Sequence, residues 1–267
     1  MPMWNSLGVE PRFIQPCGRL SDGRSLCSTE LITVLDPDQV ILQIIGDITP
    51  ADIYLRFLKQ RDGGWKFAGA HEAYLHNHPR RREMVRNSGT PFLLISSQGL
   101  RGSDVDSEIE SIFDLTRPGF DPVLTYIVTG HQQRLDPGIS RRIQGTLVFE
   151  TSGQSSVIYE VEFYAIGPKS WHLGSLTMDA QYVNVNGKFT LQTATSSYRR
   201  TKIVRSEAEA LLDLEAGPSS ENLVRYGLRG LKDLAAGQDT EAHDWLRRFL
   251  VGLRDTSEVQ ELKSLLH

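Results

Sequence analysis

The chain is poor in the residues and runs that mark the commoner specialised classes. It has two cysteines, Cys17 and Cys27, in 267 residues, with no clustered histidines beside them, which excludes a structural zinc site built on thiolates. Cationic excess is missing too. The 29 Lys and Arg against 33 Asp and Glu leave a net charge of -4, whereas nucleic acids and anionic membranes need a basic face, so no nucleic-acid partner is expected. No segment approaches the roughly 18 consecutive apolar residues of a membrane-spanning helix, so no membrane-spanning segment is expected. The opening Met1-Pro2-Met3-Trp4-Asn5 has no basic stretch followed by an apolar one. As given, the chain is expected in the cytoplasm, and exported if a leader has been removed.

Catalytic signatures are equally sparse. The sequence holds no Gly-x-Ser-x-Gly elbow, no Ser-x-x-Lys opening a helix and no phosphate-binding glycine loop. It has no fixed-period repeat with a blade signature, which counts against a propeller. Cys17 and Cys27 lie ten apart around Gly18 and Asp22-Gly23, turn chemistry that suits a small-loop disulfide. A reducing cytosol would leave two thiols instead, and the sequence leaves both open.

What is present is a long β rhythm. After an irregular arm over residues 1–28, short apolar runs separated by turn signals occupy 29–204, and a helical segment fills 205–267. The runs 31–35 and 40–45 flank Asp36-Pro37-Asp38. Ile53, Leu55 and Phe57 alternate with Tyr54 and Arg56, and after Asp62-Gly63-Gly64 the period of two resumes at Trp65 and Phe67. Asp-Gly between alternating flanks predicts a hairpin, because glycine tolerates the positive φ that such turns demand. Asn87-Ser88-Gly89 and Asn186-Gly187 predict two more. Ile109, Ser111, Phe113 and Leu115 are expected to face the core, with Glu108, Glu110 and Asp114 on the solvated side. About a dozen strands without intervening helices imply an antiparallel meander, since parallel pairs need crossovers of a dozen or more residues. A barrel, a half-barrel and a sandwich all satisfy the pattern.

From Arg205 the period becomes helical. Ser206-Glu207-Ala208-Glu209 reads as a capping box and Gly217-Pro218 as the stop after it. Ser219 or Ser220 opens the next helix, with Val224, Leu228, Leu231 and Ala235 on one stripe. Asp239-Thr240 starts a third with Ala242, Trp245, Leu246 and Phe249, and Asp255 with Glu258 caps a fourth carrying Val259 and Leu262. Each stripe must bury against a neighbour, the sheet or a second chain.

Few residues offer chemistry. His71-Glu72-Ala73-Tyr74-Leu75-His76 narrowly misses the zinc-protease pattern, because the second histidine sits at i+5 on a strand and not at i+4 on a helix. His76 and His78, two apart on an extended segment, share a direction and form a candidate divalent-metal pair; the plainer reading is a polar hairpin end. Asp104 and Asp106, in the run 103–110, are spaced for calcium, although no EF-hand glycine follows and a solvated strand face has the same spacing. A divalent ion, Zn or Ca, is thus the sole cofactor suggested. The arginines at 80–82 suit an anion or a turn paired with nearby acids, and His131 and His172 stand alone. Trp65, Phe67, Tyr74, Phe149, Tyr159, Phe163 and Tyr182 are candidates to line a cavity, or to fill a core.

The reading these observations favour is a non-enzymatic β protein that binds a small molecule or a protein partner. Two alternatives follow from single features: a metal-dependent hydrolase centred on the His71–His78 segment, and a structural protein that oligomerises through its C-terminal helices.

Overall fold

The computed structural model describes residues 8–10, 27–32, 36–46, 51–75, 81–133, 138–150, 154–186, 188–196, 202–215 and 219–267. The expected architecture is present. A four-stranded antiparallel sheet is built from β1 (Cys27–Ile32), β2 (Gln39–Gly46), β3 (Ala51–Lys59) and β4 (Trp65–Tyr74), in chain order. A nine-stranded sheet follows, also in chain order: β5 (Arg82–Asn87), β6 (Thr90–Arg101), β7 (Val105–Asp114), β8 (Leu124–Gln133), β9 (Ile139–Phe149), β10 (Ser155–Ile166), β11 (Ser170–Val185), β12 (Lys188–Ser196) and β13 (Lys202–Ile203). Helices α1 (Arg205–Leu212), α2 (Ser220–Ala236), α3 (Thr240–Val251) and α4 (Ser257–Leu265) complete the described chain.

Turn chemistry sets the hairpins. Ser88 and Gly89 both adopt positive φ, 49° and 85°, so β5 and β6 close with Asn87 opposite Thr90. Such a pair of conformations matches the right-handed twist of the flanking strands. The β3–β4 connection is longer: Gly63 takes φ 83°, and the Gln60 amide donates to the Gly64 carbonyl at 2.7 Å. Asn186 has φ 52° where β11 turns into β12, while Gly187 lies outside the described residues. Along β10 the period of two is plain, with Val157, Tyr159, Val161, Phe163 and Ala165 all buried and Ile158 and Glu160 exposed.

The chain forms two compact units. The first comprises Met1–Gln98 with Ile109–Thr125, and the second Gly99–Glu108 with Tyr126–His267, so β6, β7 and β8 contribute residues to both. In the first unit, Ile41, Tyr54 and Ala73 of the small sheet pack with Leu93, Ile95 and Phe113 of β6 and β7. Among the described residues the two sheets are separate hydrogen-bonded ladders, with no strand pairing between them. The opposite face of the small sheet carries Ile44, Ile53, Leu55 and Phe57, covered in part by Val9 from the N-terminal arm. Cys27 is disulfide-bonded; Cys17, the sole other cysteine of the chain, lies outside the described residues.

In the second unit the helices lie on β11 and β12 and on each other. Tyr226 of α2 stacks on Phe163, ring centroids 6.2 Å apart. Gly227 and Gly230 let α2 approach Leu173 so closely that a Cβ at 230 would fall 2.1 Å from the Leu173 carbonyl oxygen. Arg141, fully buried on β9, donates to the carbonyls of Leu211 and Asp213 at the end of α1 and to Gln132 Oε1 at 3.0 Å. The cation thus meets the carbonyl-rich end of a helix, where positive charge is favoured.

Three local expectations need correction. Glu108 is only 5% exposed and Ile112, on the same side of β7, is also buried, so this strand is covered on both faces where a solvated one is expected. The Ser206–Glu209 capping box does not form. The helix starts at Arg205, directly after β13, with Val204 at its N-cap, so Ser206 is already helical and Glu209 accepts from Arg205 Nε at 2.6 Å. The last helix is capped by Thr256, whose hydroxyl accepts from the Val259 amide, and not by Asp255. Ser219 and Asp239 cap α2 and α3 as expected.

Candidate functional site

The strand registers of the first unit line up polar residues inside the layer. Gln43 lies opposite Tyr54, and Tyr54 opposite His71. Directly opposed residues of antiparallel strands share a face with their Cβ atoms about 5 Å apart. Tyr54 and Ala73 belong to the inter-layer core, so this row faces it. Asp52, two residues from Tyr54, points the same way and accepts from Gln43 Nε2 at 2.6 Å. Both partners of that bond are buried, Gln43 to 1% exposure. Gln43 Oε1 has no hydrogen-bond partner among the described residues. A buried amide oxygen left unpaired costs on the order of 1–3 kcal/mol.

Gln43, Tyr54 and Ile45 form the floor of a cavity of about 690 Å³. Glu30, Arg81, Arg82, Glu83 and Glu110 stand around it. Arg82 of β5 makes an ion pair with Glu30 of β1. The volume falls within the roughly 300–1,000 Å³ typical of small-molecule sites.

His71 follows a different course. Its ring meets Phe113 edge-on at 4.8 Å and its Nε2 is buried without a partner among the described residues. Burial pushes its pKa down to about 4, against the opposing pull of Glu72, so the imidazole is neutral at pH 7. Glu72, next along the strand, points to the other face and accepts from the Tyr74 hydroxyl at 3.1 Å. That hydrogen bond raises the Tyr74 phenol above its ordinary value. His71 and Glu72 therefore cannot serve one ion together. His76 and His78 lie outside the described residues, as does Arg80.

No protein-family model, curated protein or solved structure matches the chain.

Asp104 and Asp106 are exposed, at the bend before β7 and on its second residue. Among the described residues, no group of three His, Cys, Asp or Glu side chains is placed to hold a metal ion. Asp106 instead lines a smaller cavity of about 400 Å³ in the second unit, with His131, Arg142, Glu160 and Glu162. There His131 Nε2 lies 3.0 Å from Ser140 Oγ, and burial, then the Arg142 charge, hold the imidazole below its usual pKa while Asp106 opposes them. The carboxylate, imidazole and hydroxyl evoke a nucleophile relay. Ser140 is buried, however, and sits at the second residue of β9, paired with Gln133 of β8 and Tyr164 of β10. A strand paired on both sides has its backbone amides engaged in the ladders. His172, the other lone histidine, meets the Tyr164 ring at 5.3 Å.

The aromatic residues expected at a cavity are elsewhere. Tyr159 and Phe163 fill the second unit's core, Trp65 and Tyr74 are 39% and 50% exposed, and none of the seven lines the 690 Å³ cavity. Of the residues that do line it, the sequence singles out Arg81 and Arg82, whereas Gln43 is hidden inside a run dominated by Val40, Ile41, Leu42, Ile44 and Ile45. Its parity was the available signal: position 43 shares the inward side with Ile41, where a polar residue needs a reason.

Proposed function

We propose that the protein is a binding protein whose first unit takes a small polar molecule between its two β layers. The observation that carries this reading is Gln43, a buried amide lining the cavity, whose oxygen has no hydrogen-bond partner among the described residues. Buried polar atoms are nearly always paired, and those that are not mark a place where something else supplies the bond. The cavity residues offer acceptors, guanidinium donors and an ion pair. Among the described residues that line it, none is a serine, threonine, cysteine or lysine, which favours binding over covalent catalysis.

Thermal-shift screening of the full chain against a library of small amines, polyols and carboxylates tests this. Wild-type protein is expected to gain stability with at least one class, and Ile45→Trp, which fills the floor, is expected to lose that gain. A library that shifts neither protein, or shifts both equally, would overturn the proposal.

A further inference from the structure

We draw no further inference here: the strongest candidate, the polar cavity of about 400 Å³ over β8, β9 and β10 of the second unit, has its His131, Arg142 and Glu162 engaged with Ser140 and with the ring and hydroxyl of Tyr164, and none of the described residues lining it holds a buried, unpaired polar atom that would say what fills it.

Discussion

Arg56 and Gln39 share one contact twice over: the guanidinium Nε and Nη2 both donate to Gln39 Oε1, at 3.1 and 2.7 Å. The remaining donors reach the carbonyls of Leu115, Arg117 and Gly119, the last two from Nη1. Arg56 is almost wholly buried, and the loss of water lowers its pKa against the more distant pull of Asp114 and Asp36. A planar cation with five donors is thus solvated by an amide and three carbonyls, which ties the 115–119 corner to β3. Arg141 uses the same device in the second unit, with Gln132 and the carbonyls of Leu211 and Asp213.

Arg56→Met is expected to destabilise the protein by about 3 kcal/mol or more, because four buried or part-buried acceptors lose their donor. Arg56→Lys is expected to recover less than half of that, since a single ammonium cannot span the same set. Guanidinium denaturation curves measure both. A cost under about 1 kcal/mol for the methionine variant would show that the corner holds without it.

Acid is expected to act through His71. Above about pH 6.5 its imidazole is neutral in folded and unfolded chain alike, and contributes no pH dependence. Between there and about pH 4 the unfolded chain takes up a proton that the folded chain refuses, so stability falls as pH drops. The full loss attributable to this group is about 3 kcal/mol below pH 4. Urea unfolding at pH 7 and pH 4.5 should therefore show a shallower decline for His71→Leu than for the wild type. Parallel declines would remove His71 from the account.

Gly230→Ala is expected to cost more than about 2 kcal/mol, since the new methyl group meets the Leu173 carbonyl and α2 must retreat from β11. Gly252→Ala is the matched control. Nothing lies within 4 Å of a Cβ there, and its effect is expected within about 0.5 kcal/mol. Thermal unfolding of the pair reads the contrast, and equal Tm values would mean that the close approach carries no stability.

Removing the helices is expected to unfold the second unit and not merely to shorten it. A chain ending at Val204 strips Arg141 of two carbonyls, and Phe163 of its Tyr226 partner. Near-UV circular dichroism of that truncation should lose its fixed aromatic signals. A well-dispersed, cooperatively folding truncation would refute the dependence.

How far the sequence spoke varied with the physics involved. Asn87-Ser88-Gly89 and the alternation through Val157, Tyr159, Val161 and Phe163 are local signals, and the structure repeats them. Ser219 and Asp239 are likewise short-range caps that need no knowledge of the rest of the fold. Burial of Glu108, Arg56 and Arg141 depends on what covers a second face, and no periodicity within one strand contains that information. The Ser206–Glu209 box does not form because Ile203 and Lys202 pair with β12 immediately before the helix, whose N-cap is Val204, two residues ahead of Ser206. Gln43 is hidden by its apolar neighbours, while His71, beside Glu72 in a near miss of a zinc-protease pattern, is packed against Phe113.

The membership of β6, β7 and β8 in both units has a hereditary consequence. The chain leaves the first unit after Gln98, returns at Ile109 and leaves again after Thr125. Neither unit is a contiguous stretch, so a single genetic crossover cannot transplant one without a fragment of the other. Shuffling of the kind that spreads self-contained modules among proteins would have to carry the two together.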